Sequence, residues 1–183
     1  MEYLKSTDDL KLIEKSLAGD MVAFSYIVRR YEAMIAKITI SMIGNKDDAD
    51  DIGQETFIRF YRSMDKFKGE SQLGTYLART AINLTLNHIK KRSKSWLTTT
   101  NNYDDYELPS KENEESNDIT NIINYSLKAL ESKYRSVVVL RHIQGFSTKE
   151  TADILRLPQG TVLSRLSRGQ EKLKEIITKL DVL

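Results

Sequence analysis

The chain of 183 residues has no cysteine, only two prolines and only two histidines. Without cysteine there is no disulfide, and the thiolates on which most structural zinc sites depend are missing. A reducing compartment suits such a chain. No apolar run is long enough to cross a bilayer, and the first twenty residues carry acids where a secretory leader needs an unbroken apolar block. The expected location is the cytoplasm, without membrane insertion. A catalytic set is also missing: His88 and His142 fall in different halves of the chain, and no nucleophile, base and orienting group come together. Asp47, Asp48, Asp50 and Asp51 stand where they would open a helix, Asp48 as its cap, so no catalytic residue, metal or cofactor is expected.

What remains is 40% hydrophobic and rich in Lys, Glu, Ile and Leu, the composition of a soluble helical protein with a real core. The net charge of +2 hides an uneven distribution. Between Asn101 and Asp118 seven acids face one base, whereas from Ile119 onward eleven bases face six acids. Basic flanks around an acidic middle are what two nucleic-acid-binding modules joined by a solvated linker would show.

Periodicity places helices in the first half. Ser6 or Thr7 opens a short one carrying Leu10, Ile13 and Leu17, which Gly19 ends. Asp20 caps a longer one whose Phe24, Ile27, Val28, Tyr31, Ile35, Ile38 and Met42 form one apolar stripe, broken at Gly44 and Asn45. A third helix follows with Ile52, Phe57, Phe60, Tyr61 and Met64 as apolar positions. A fourth runs to about Lys94. On it Tyr76, Arg79, Asn87 and Lys90 lie within about 40° of Asn83, opposite Leu77, Ala81, Leu84 and Ile89; Leu86 fits this division poorly. The segment from Ser95 to Asn117 is polar, acidic and without helical period, as a flexible linker is.

Order resumes near Ile119 and leads to the most informative segment. A helix carrying Val137, Val138, Leu140 and Ile143 ends at Gly145. Ser147 and Glu150 then have capping-box spacing. The short helix that follows turns at Arg156, Leu157 and Pro158 into another over Gly160 to Leu173, with small Ala152 where the two cross. Arg156 stands at a turn position whose left-handed backbone glycine accepts more cheaply. On the second helix Val162, Leu166 and Leu173 face inward; Thr161, Ser164 and Arg168 face outward with Lys172 nearby, and Arg165 lies toward the buried flank. Short hydrogen-bonders and cations of this kind suit a helix in the major groove. By pattern alone this is a helix-turn-helix that binds DNA or a plain helical hairpin.

Taken in series, these blocks resemble the small two-domain branch of the bacterial sigma-70-type factors, the extracytoplasmic function sigma factors. Asp48-Ala-Asp-Asp-Ile-Gly-Gln-Glu-Thr-Phe57 is similar to the D-A-x-D-x-x-Q-E-x-F signature of region two. Phe67-Lys-Gly-Glu-Ser71 and Tyr76-Leu-Ala-Arg-Thr-Ala-Ile-Asn83 follow it in the family's order. Gly145-Phe-Ser-Thr-Lys-Glu150 and Pro158-Gln-Gly-Thr-Val-Leu-Ser-Arg-Leu166 resemble region four. Three positions depart from the family's usual residues: Tyr76 for tryptophan, Gly74 for a larger residue, and Leu163 for Lys or Arg.

The resemblance implies an all-α fold of two small domains, 1–94 and 119–183, joined by an acidic linker over 95–118. It implies binding to core RNA polymerase through the beta-prime clamp helices and the beta flap, with Asp51, Gln54, Glu55 and Ile58 as contacts. Promoter DNA is implied as duplex and as single strand. For the minus-ten element the matching residues are Phe67, Ser71, Leu73, Tyr76, Arg79, Asn83, Asn87 and Lys90, with a flipped base entering near Phe67, Ser71, Leu73 and Asn83. For the minus-thirty-five element they are Thr161, Ser164, Arg165, Arg168 and Lys172. An anti-sigma protein is a further implied partner. The alternative is a helix-turn-helix regulator that acts without polymerase.

Overall fold

The computed structural model describes residues 8–98 and 118–180. All regular elements among them are helical: α1 (Asp9–Leu17), α2 (Met21–Ile43), α3 (Lys46–Ser63) with a tight turn at Met64–Lys66, α4 (Leu73–Thr98), α5 (Asp118–Ala129), α6 (Ser132–Val138) widening into a π turn at Val139–Ile143, α7 (Thr148–Leu155) and α8 (Gln159–Leu180). Helix α4 runs four residues beyond the expected end. Ser6, Thr7 and the linker from residue 99 to 117 lie outside the described residues.

The long stripe of α2 is its buried face. Asp20 caps the helix, its Oδ1 accepting from the N–H groups of Val22 at 2.9 Å and Ala23 at 3.1 Å. Ile27, Ile35, Ile38 and Met42 are fully buried, and Gly44 closes the helix with φ 75°. Helices α1, α3 and α4 all pack on α2. Helix α1 departs from expectation: Leu12, Ile13 and Ser16 are buried, while Leu10 and Leu17 are about half exposed. A nine-residue helix resting on α2, with a minor contact to the Met64–Lys66 turn, buries a narrow face, and the pair 12 and 16 centres that face some 130° away from the pair 10 and 17. Asp9 shares the inward face.

The cap of α3 is Asn45, whose side chain accepts from the Asp48 N–H at 3.0 Å. Asp48 therefore does not cap α3, contrary to the expectation from its place at the helix start. Its carboxylate lies 3.5 Å from both His88 Nε2 and Arg92 Nη1 on α4. Tyr61, read from sequence as a core position, is 41% exposed. Phe60 takes the centre instead, in edge contact with Phe67 and Tyr76 and stacked on Phe24.

In the second half Ser147 and Glu150 form both bonds of the capping box. Arg156 takes the left-handed conformation (φ 53°), the one non-glycine residue to do so among the described residues. Ala152 packs with Val137 and Val162 beneath the crossing of α7 and α8. Gly169 is the other close approach: a Cβ there would stand 3.0 Å from Val138 Cγ2.

The two halves are in contact. α2 packs on α5, α6 and the π turn, and α4 packs on α7. The buried side chains Val138, Val139, Leu140 and Ile154 join the same apolar cluster as Ile38, Met42 and Leu77. Half-buried Leu86 packs against this shared cluster, which accounts for its poor fit to a helix considered alone. Arg135, 8% exposed, donates across the junction to the carbonyl of Met42, and within its own half to those of Lys128 and Leu130. A guanidinium there satisfies carbonyls that helix ends leave without partners.

Candidate functional site

Three surfaces carry the residues singled out from sequence. The first is the outer stripe of α3. Asp51, Gln54, Ile58 and Tyr61 fall within about 60° of Gln54, and all four are exposed. Ile58 and Tyr61 are large apolar side chains facing solvent, at 42% and 41% exposure, beside the polar Asp51 and Gln54. Such a mixed stripe suits a docking face better than a purely solvated one. Glu55 sits on its flank, its Oε1 accepting from Arg59 Nε at 2.7 Å. Tyr61 belongs to this surface although its period suggested the core.

The second surface is α4 with the loop before it. Asn83, Asn87 and Lys90 are exposed along the helix, Tyr76 and Arg79 half-buried. The Arg79 Nε is buried with no hydrogen-bond partner, and the Tyr76 hydroxyl meets Ser63 Oγ at 3.3 Å. Two cavities flank this helix. One, of about 440 Å³, lies at its amino-terminal end and is lined by Phe67, Ser71 and Leu73 together with Asp8, Asp9, Leu10, Tyr31, Gly69, Glu70 and Gln72. Leu73 is 2% exposed and belongs to its floor. The other, of about 420 Å³, lies farther along and brings Asn87 and Lys90 together with Arg59, His88 and Lys91.

The expected pocket is thus only partly assembled as foreseen. Phe67, Ser71 and Leu73 come together, but Asn83 and Asn87 are not in that lining. Leu73 and Asn83 are ten residues apart, about 15 Å along the helix. The two cavities differ in charge: carboxylates dominate the first and cations the second. Asp9 and Tyr31 were missed in the sequence. The signal was an acid on the inward face of α1 among Leu12, Ile13 and Ser16.

The third surface is the outer face of α8. Ser164, Arg168 and Lys172 are exposed, while Thr161 and Arg165 are half-buried. The exposed Ser164 hydroxyl donates to the Thr161 carbonyl at 3.1 Å. Arg168 projects from the middle of the face. Lys172 is drawn aside, its Nζ 3.8 Å from Glu131 and 5.7 Å from the Tyr134 ring centre. Glu131 is held below the usual carboxylate range, first by its bond to Lys133 and then by the charges of Lys133 and Lys172. His142 is exposed, with Nε2 2.9 Å from the Gln170 amide. Among the described residues no helix is long and apolar enough to cross a membrane.

Residues 27–95 match the family model Sigma-70 region 2, and residues 121–173 match Sigma-70, region 4. The chain is 34% identical to the ECF RNA polymerase sigma factor SigW of Bacillus subtilis, over 93% of this chain and 97% of that protein. It is 31% identical to the ECF RNA polymerase sigma-E factor of Haemophilus influenzae, over 94% and 96%. The fold is similar to that of the sigma factor RpoE solved with the anti-sigma factor NepR from Bartonella quintana. The TM-score is 0.72 at 22% identity, covering 85% of this chain and 96% of that one. CnrH, solved with the cytosolic domain of CnrY, gives 0.69 at 22% identity, covering 93% and 97%.

Proposed function

The chain belongs to the extracytoplasmic function RNA polymerase sigma factors, and on that footing we propose how its surfaces divide the work of binding core polymerase and directing it to promoters. The stripe of Asp51, Gln54, Ile58 and Tyr61 docks on the beta-prime clamp helices, with Glu55 at its edge. The face of α4 and the loop before it hold the opened minus-ten strand. Asn83, Asn87, Lys90 and Arg79 follow its backbone and edges, and Phe67, Ser71 and Leu73 receive a flipped base. Thr161, Ser164, Arg165 and Arg168 on α8 read the minus-thirty-five duplex, Arg168 as the base reader or principal phosphate contact. Domain one runs to the end of α4 at Thr98, four residues past the boundary expected from sequence, and domain two begins with α5 at Asp118, with 99–117 as the connection. Core polymerase and promoter DNA are the partners, the beta flap taking domain two, and an anti-sigma protein is a further partner of this reading.

The observation that carries this division is the exposed apolar pair Ile58 and Tyr61 in the polar stripe of α3, on the same bundle as a cationic α4. The two reading elements are about 25 base pairs apart, roughly 85 Å along B-form DNA. With α4 in contact with α7 the chain cannot lie on both, so the halves separate on the promoter.

Binding tests the division. Ile58→Asp should abolish capture of core polymerase while leaving duplex binding by α8 intact. Lys90→Ala with Asn87→Ala should weaken single-strand binding of the holoenzyme without loss of core binding. Core capture unaffected by Ile58→Asp would remove the assignment of α3.

A further inference from the structure

The cavity at the start of α4 is built differently from the rest of the basic surface. Gly74 lies beside its rim, and a Cβ there would stand 3.2 Å from Tyr31 Cε1. The Tyr31 ring thus fills the space that a larger residue at position 74 would need. Its hydroxyl donates to Asp9 Oδ2 at 2.5 Å, and Arg30 Nη1 donates to Asp9 Oδ1 at 2.5 Å. Burial, followed by the bond to Asp9, pushes the Tyr31 hydroxyl well up, so it stays a donor. Asp9 is consequently a fixed carboxylate in the cavity lining, its side chain 23% exposed.

We infer that Asp9 is the specificity-determining residue of this cavity, which takes an unpaired base carrying an exocyclic amino group and rejects thymine. The inference rests on the assignment of the cavity to the minus-ten strand. An ionised carboxylate offers about four acceptor sites; Tyr31 and Arg30 each engage one oxygen, leaving both oxygens able to accept again. Cytosine and adenine present an amino donor beside a ring-nitrogen acceptor. The donor pairs with Asp9, as carboxylates pair with the cytosine amino group in duplex readout. The Ser71 hydroxyl or the Gln72 amide, both in the lining, serves the ring nitrogen. Thymine can offer Asp9 only its ring N–H, flanked on both sides by carbonyl oxygens that the carboxylate repels, and it has no acceptor nitrogen for Ser71 or Gln72. Phe67 supplies an aromatic surface for the base, since stacking accepts any base and leaves the choice to the edge. Asp8 and Glu70 keep phosphate out, so that an edge enters rather than the backbone.

The test uses the full chain bound to core polymerase, with binding by core alone subtracted, and fluorescent twelve-nucleotide strands of deoxycytidine or deoxyuridine. These homopolymers need no knowledge of the promoter, and their bases differ only in the amino or carbonyl edge. The wild-type holoenzyme should bind the cytidine strand about tenfold more tightly, the effect of one hydrogen bond to a charged group. Asp9→Asn, whose amide can also donate, should abolish or reverse this ratio, and Tyr31→Phe, which keeps the ring over Gly74, should reduce it. Equal affinities in the wild type, or an unchanged ratio in Asp9→Asn, overturns the inference. If the strands then still bind and Phe67→Ala weakens both, the minus-ten assignment stands and only the role of Asp9 falls. If neither strand binds, the assignment and the inference fall together.

Discussion

Replacing Arg135 by Met should loosen the contact between the two halves without unfolding either. The side chain is 8% exposed and its guanidinium serves three carbonyls, of which only that of Met42 lies in the other half. A hydrogen bond to a charged group contributes about 1.5–3 kcal/mol. Losing the one that crosses the junction should therefore shift the closed-to-open ratio roughly 10- to 150-fold. The two bonds to Lys128 and Leu130 hold the turn between α5 and α6, and their loss should lower the stability of the second half separately. Part of that loss is offset, because burial disfavours the charged guanidinium and Met removes this cost. Met also retains an apolar stem, so no large cavity opens. The lack of cysteine makes the assay direct: Glu32→Cys and Lys174→Cys, both at exposed positions, take a donor and an acceptor dye. Energy transfer should fall in Arg135→Met while helical circular dichroism is retained. Unchanged transfer with an unchanged single unfolding transition would refute the assignment of Arg135 to the junction.

Three further outcomes follow from single contacts. Gly169→Ala places a Cβ 3.0 Å from Val138 Cγ2 and 3.4 Å from Tyr134 Cβ; an overpacking cost of about 1–3 kcal/mol, less about 1 kcal/mol for the helix preference of Ala over Gly, should leave a net destabilisation of up to about 2 kcal/mol in urea unfolding. The Ser147 hydroxyl and backbone N–H hold the Glu150 carboxyl below its usual range. Its capping contribution is therefore complete above the ordinary carboxylate pKa and lost as pH falls through the lower folded value. Melting temperatures below about pH 4 should drop less steeply in Glu150→Gln. Arg168→Ala should cost holoenzyme binding about 1–3 kcal/mol and relax one upstream base position, or lower the salt slope by about one on all sequences; equal loss with an unchanged slope would exclude both.

The sequence revealed elements governed by local rules. The stripe of α2, the Asp20 cap, the capping box at Ser147 and the left-handed Arg156 each depend on a few neighbouring residues, and all stand as read. What failed depended on partners distant in sequence. Asp48 caps nothing because Asn45, three residues earlier, takes that role and His88 and Arg92 lie across from the carboxylate. Leu10 and Leu17 have helical spacing, but α1 turns another face to α2. Tyr61 fits the apolar period of α3 yet faces solvent, because Phe60 beside it already fills the core. Of the expected base pocket, the loop residues close in sequence came together, whereas Asn83, nearly three helical turns along, did not. Asp9 and Tyr31 line the same cavity as those loop residues from separate helices, and a single sequence shows no pairing between them. The junction of the halves was equally hidden: Arg135 reads as one more surface base until Met42 is placed beside it.

This chain gives core RNA polymerase its choice of start site. Reconstituted transcription on a library of genomic fragments, with core polymerase in the presence and absence of the chain, tests it most directly. Discrete transcripts should appear only when the chain is added, their start sites sharing common upstream sequence near minus ten and minus thirty-five, and should vanish with Ile58→Asp. Transcripts unchanged by the chain, or sequence-specific duplex binding as tight without polymerase as with it, would instead make it a regulator that acts without polymerase.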